Sequence, residues 1–172
     1  MARYGATLLS QAQQLSGVNA TTTVNGYMGY WGGSATSGFR IRRIMVGTKT
    51  PNSVPTSQQI GVGVFRQTVA PAGTGIAAAV LGQPLEIWTP QTDPTAGIFA
   101  ITATTIGTTG PTLAANPITV IPYNTQSSIE TLYEYVDELV CAIGTANGLA
   151  FVNMDNTLPA SHQIRINVEI EV

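Results

Sequence analysis

Gln163-Ile164-Arg165-Ile166-Asn167-Val168-Glu169-Ile170-Glu171-Val172 is the stretch whose reading decides the fold. Ile164, Ile166, Val168, Ile170 and Val172 alternate with polar or charged residues at every step. Successive side chains of a strand point to opposite sides of a sheet, so period two gives one apolar and one polar face. A free edge along so regular a strand invites unwanted pairing, so the spacing predicts an inner strand, paired on both sides.

Working back from this strand, Leu149 to Val152 reads as a short strand, and Ile118 to Ile121 as another, closed by Pro122. In Ile60 to Val69, Ile60, Val62 and Val64 take one face, while Gly61, Gly63 and Phe65 take the other. Glycines opposite a core face permit close approach of another piece of backbone. Phe39 to Val46 reads as a strand of mixed faces between Gly38 and Gly47. Between 71 and 117 the chain is loop-rich, with short apolar pieces at Leu85 to Trp88 and Ile98 to Ile106. Residues 129–143 fit both periods: Ile129, Leu132, Val136 and Val140 have helical spacing, while Tyr133-Glu134-Tyr135-Val136 alternates. Near the start, Leu8, Leu9, Ala12 and Leu15 are spaced as on a helix that Gly17 stops, which gives an arm or short helix.

About eight short strands with turn residues every 8–12 positions, and no alternation of strands with helices, predict an all-β sandwich of the jelly-roll type. The expected organisation is an N-terminal arm or short helix over 1–17 and a sandwich over 18–172, with the loop-rich insertion at 71–117. No internal repeat points to a propeller or β-helix.

Charged residues make up only 9% of the chain, against roughly a quarter in an ordinary soluble domain, and apolar residues 44%. The surface is therefore neutral and polar, with little long-range field to keep copies apart. Seven basic and nine acidic residues leave a net charge of −2. Nucleic-acid binding needs a basic patch that neutralises phosphates, and the one basic cluster is Arg40, Arg42 and Arg43; no nucleic-acid partner is expected. No apolar run approaches the roughly 20 residues that span a bilayer, so no membrane is expected, and no signal peptide is read at the start. A cytosol-like site of synthesis follows as an expectation.

The residues of catalysis do not assemble. Nucleophilic chemistry needs a nucleophile beside a base. The one histidine, His162, neighbours Ser161, and adjacent strand residues face opposite ways. Glu130, Glu134, Asp137 and Glu138 cluster, but within a run carrying Tyr133, Tyr135 and Val136 they read as a solvated or interface face. Asp155, with Asn153 and Asn156, lacks the spacing of a calcium loop and reads as a turn residue. Cys141 is the one cysteine, so no intramolecular disulfide and no cysteine-based zinc site is expected. The expectation is a non-enzymatic protein with no catalytic residues, metal or cofactor.

Several stretches together carry a resemblance. Phe39-Arg40-Ile41-Arg42-Arg43-Ile44 precedes a glycine-rich strand and a long Pro/Thr loop. Leu132-Tyr133-Glu134-Tyr135 is followed by Asp137-Glu138-Leu139-Val140, then by Gly148-Leu149-Ala150-Phe151-Val152-Asn153 and the acid-ended Val168-Glu169-Ile170-Glu171-Val172. The opening Met1-Ala2-Arg3-Tyr4-Gly5 fits too. Over 39–172 this order resembles the small jelly-roll virion proteins of tailed bacteriophages that decorate or cement the capsid. The resemblance favours strand over helix at Leu132 to Val140. It implies a protein made in the host bacterial cytoplasm that sits on the capsid exterior, as a homotrimer bound to the major capsid protein. The first 38 residues and the 71–117 region are longer than that pattern, which implies a lattice-binding arm or a protruding tip. Leu8, Leu9, Tyr27, Tyr30 and Trp31 are the candidate interface residues, because aromatics concentrate in interfaces. The alternative is a tail or host-attachment module that binds a surface glycan through aromatics such as Trp88.

Overall fold

The computed structural model describes residues 3–9, 27–32, 38–49, 56–69, 79–80, 85–86, 99–101, 112–132, 139–155 and 162–171. These hold thirteen strands and no helix: β1 Arg3–Leu9, β2 Tyr27–Gly32, β3 Phe39–Lys49, β4 Gln59–Val69, β5 Ala79–Val80, β6 Leu85–Glu86, β7 Phe99–Ile101, β8 Thr112–Leu113, β9 Thr119–Asn124, β10 Ile129–Leu132, β11 Leu139–Cys141, β12 Gly148–Asn153 and β13 Gln163–Glu171. They form two antiparallel sheets that share one apolar core, a sandwich-like all-β fold. One sheet runs β10-β3-β13-β1-β6, with β11 also on β3; the other runs β5-β7-β2-β12-β4-β8, with β9 also on β4.

The alternating stretch is β13, and it is an inner strand, paired with β3 on one side and β1 on the other. Ile164, Ile166, Val168 and Ile170 are fully buried against the opposite sheet. From that sheet come Ile60, Val62 and Val64 of β4, Ile121 and Tyr123 of β9, Leu149 and Phe151 of β12, and Trp31 of β2. Period two is satisfied because each sheet buries one face against the other.

The mixed faces of β3 have a specific cause. Phe39 and Ile41 point into the core, and so do Ile44 and Val46, which lie out of phase with them. The ladder with β13 runs Glu169↔Arg43 and then Ile170↔Ile41, so Arg42 is the extra residue of a β-bulge. The bulge resets the alternation and returns Ile44 and Val46 to the core. Without it, a one-residue slip would turn both out to solvent.

Over Arg3–Leu9 the chain is strand rather than helix. All seven residues of β1 pair with β13, from Arg3↔Glu171 to Leu9↔Arg165. Helical spacing is a local preference, and a seven-residue ladder on an existing strand overrides it. Residues 10–26, including the rest of the expected arm, lie outside the described residues. The described parts of 129–143, β10 and β11, are strands lying end to end along one edge of β3; residues 133–138 lie outside. In the 71–117 region, β6 adds to the β1 edge of one sheet, while β7 and β5 extend the other beyond β2. Pro122 does not close its strand. β9 continues to Asn124, because Pro122 lies on an edge strand where no ladder donor is required.

Candidate interaction surface

At the side of the sandwich away from β5, β6 and β7, both sheets end in edge strands. β9 closes one sheet and β10 with β11 closes the other. Residues 125–128 join β9 to β10 directly, which brings the two edges together. Arg66 of β4 also links them, donating from Nη1 to the Val140 carbonyl of β11 at 2.8 Å.

The turns that hold this edge are built from small polar residues. Thr125, 1% exposed, accepts from the Gln58 amide at 3.0 Å and donates to the Thr56 carbonyl at 2.5 Å. Its own amide donates to the Gln58 carbonyl. Asn124 caps the turn, its Oδ1 accepting from the Gln126 amide at 2.9 Å. After β11, Gly144 takes a φ of +124°, which glycine alone adopts without strain. Asn147 closes that turn through Nδ2 to the Ile143 carbonyl at 2.8 Å, and Gln67 donates to the Thr145 carbonyl.

On this frame several exposed side chains are apolar, beside polar ones such as Gln126, Ser127 and Glu130. Leu132 is 65% exposed, Ile143 61% and Val120 45%, with Ile118 and Val140 close behind. Val120 alternates with the core-facing Ile121 and Tyr123 in one sheet, and Val140 with the core-facing Leu139 and Cys141 in the other, so the two lie on opposite outer faces. Single exposed apolar residues are ordinary; five on or beside the rim strands of a chain with so few charges mark the rim as open to protein contact. Edge amides are guarded on β9 by Pro122, while β11 has its Val140 carbonyl occupied by Arg66.

The outward face of the β3–β13 pair is ionic. Arg42 donates through Nε to Glu171 Oε2 at 2.5 Å, and its Nη2 meets the same oxygen; both side chains are buried. Arg43 Nε lies 3.4 Å from Glu169 Oε2 and 3.6 Å from Glu130 Oε1. The basic cluster of the sequence is thus interleaved with three carboxylates, and the bulge sets Arg42 beside Glu171.

Of the expected interface residues, Trp31 is placed differently. It is 0% exposed, within the chain's own core, its ring meeting Phe151 edge-on at 5.1 Å and 80°. A large aromatic at mid-sandwich contributes more apolar burial inside than a partner would supply. The backbones of Leu8, Leu9, Tyr27 and Tyr30 lie in β1 and β2, opposite Ile166, Arg165, Val152 and Ala150; their side chains lie outside the described residues. Trp88 lies outside as well.

The candidates for chemistry are dispersed. His162 is buried just before β13, and Ser161 lies outside the described residues. Asp155 follows β12, where its carboxylate accepts the Gly61 amide of β4 and its own amide donates to Asn153 Oδ1 at 3.2 Å. The glycines of β4 thus admit the chain after β12, as their pattern predicts: a Cβ on Gly63 would lie 2.7 Å from Met154 Sδ. Glu134, Asp137 and Glu138 lie outside the described residues. Among the described residues no three His, Cys, Asp or Glu side chains gather as a metal set. Tyr123 bonds Thr48 Oγ1 of the opposite sheet; burial raises the phenol's pKa above its usual value, and the Thr48 bond lowers it in part.

The five exposed apolar residues, unlike the candidate set from the sequence, come from positions whose neighbours only the topology supplies. No family model, curated protein or solved structure matches the chain.

Proposed function

We propose that this chain is a non-enzymatic structural protein of a tailed-phage virion, which decorates or cements the outside of the capsid through contacts with its own copies and with the major capsid protein. The observation that carries this reading is the set of exposed apolar residues on or beside the rim strands, Ile118, Val120, Leu132, Val140 and Ile143, on a chain of unusually low charge. A surface with almost no field and an apolar rim suits packing at high copy number.

The winding of the chain supports the jelly-roll part of the reading. Setting the short strands aside, one sheet reads β1, β13, β3 and β10 with β11, and the other β2, β12, β4 and β9. Consecutive strands therefore occupy matching positions in the two layers, as in a folded-over double ribbon.

The test is assembly. Light scattering of the purified protein is expected to give a trimer, and incubation with undecorated capsid shells is expected to give regular external density in electron microscopy. A monomer that leaves the shells bare overturns the reading.

A further inference from the structure

β1 belongs to its sheet through one long ladder. Seven residues pair with β13, whereas on the other side only Tyr4 and Gly5 pair, with Glu86 and Leu85. All other described strands follow β1 in the chain, so residues 10–26 are its one tether to them. The tether's two ends lie in different sheets, β1 in one and β2 in the other, so it links the two layers. The same kind of link is made by 33–38 between β2 and β3, by 125–128 between β9 and β10, and by 142–147 between β11 and β12. Packed sheets lie about 10 Å apart. A flexible chain of the length of 10–26 has a root-mean-square span of about 23 Å and reaches roughly 55 Å when extended. Its composition, dominated by Ser, Thr, Asn, Gln and Gly, is that of a connector.

We propose that β1 is an exchangeable strand by which copies of this chain interlock, the β1 of one copy pairing with β13 of the next. The inference rests on the reading that the chain assembles with its own copies. The ladder from Arg3↔Glu171 to Leu9↔Arg165 is rebuilt unchanged in the exchanged form, so the two forms differ only in the tether. A connection of seventeen residues allows an effective concentration of β1 at its own β13 in roughly the millimolar range. Copies packed side by side offer a second β13 at comparable concentration, and a tether this long reaches it. The crossings at 125–128 and 142–147 are too short to allow their strands the same freedom.

The test uses Thr7 and Asn167, which oppose one another in the ladder. Opposed Cα atoms in such a ladder lie about 4.5–5.5 Å apart, within the range that a disulfide bridges. One version carries Thr7→Cys and another Asn167→Cys, both with Cys141→Ala; they are produced together and oxidised. The expected product is a covalent dimer of unlike chains, seen by mass spectrometry. The same pair made with Cys141 retained, its thiol being buried, serves if Cys141→Ala weakens folding. If a stable oligomer forms bridges only within a chain carrying both cysteines, exchange is overturned and the assembly reading stands. A wild-type protein that stays monomeric overturns both.

Discussion

Arg42 and Glu171 illustrate how much can hang on one residue. The guanidinium and the carboxylate are both buried, so each depends on the other to offset its loss of water. Glu171→Ala removes the carboxylate from a buried guanidinium and is expected to cost about 3–5 kcal/mol in urea denaturation, whereas Arg42→Met with Glu171→Leu should fall close to wild type. A single mutant within 1 kcal/mol of wild type would show the pair to be solvated. Tyr123 makes a second prediction at this scale. Its pKa is raised in the fold, so the folded state holds the proton more tightly than the unfolded chain, whose phenol titrates near 10.0. The stabilisation is complete below that pH and is lost as pH rises from there through the folded value. The urea midpoint is expected to fall across this alkaline window in wild type and to fall less in Tyr123→Phe, which also loses about 1 kcal/mol at neutral pH with the Thr48 bond.

Among the elements, β3 and its neighbour β11 are the most constrained. Gly38 stands where a Cβ would lie 2.5 Å from the Cys141 carbonyl oxygen and 2.9 Å from the Ile143 amide nitrogen. Both are backbone atoms of the facing segment, which side-chain motion does not relieve. Gly38→Ala is expected to lower stability by roughly 1–3 kcal/mol, measured as a shift in thermal midpoint. An unchanged midpoint would mean that β11 is loosely held. The period-two pattern made β4 and β13 legible directly, because alternation is a local property of a strand that turns one face to the core, whereas β12 is a short apolar run buried on both faces. β1 was not legible in that way. Its spacing favours a helix, and only the ladder offered by β13, far along the chain, makes it a strand.

At the scale of the molecule, one side of the sandwich is extended by β5, β6 and β7 while the other ends in apolar edge elements. Leu132→Glu with Ile143→Glu is expected to weaken self-association and shell binding at least tenfold, read by light scattering and by sedimentation with shells. The thermal midpoint of the monomeric unit should change little, since both side chains are mostly exposed. Undiminished assembly would place the contact elsewhere on the sandwich. Of the residues first singled out for contact, Trp31 is inside the core. Composition marks an aromatic as apt for burial without saying whether its own chain or another will bury it.

By itself the sequence determined that this protein is built of strands, that its last described strand lies inside a sheet, and that its surface carries little charge. Those properties follow from residue period and composition, which need no partner to express. Tertiary structure alone decided that β1 is a strand, that Arg42 is a bulge paired with Glu171, that Trp31 packs on Phe151, and that five scattered apolar residues stay exposed on or beside the rim strands. Each of these depends on residues distant in the chain meeting in one register. The alternating stretch that opened the reading is the strand on which β1 and β3 both align.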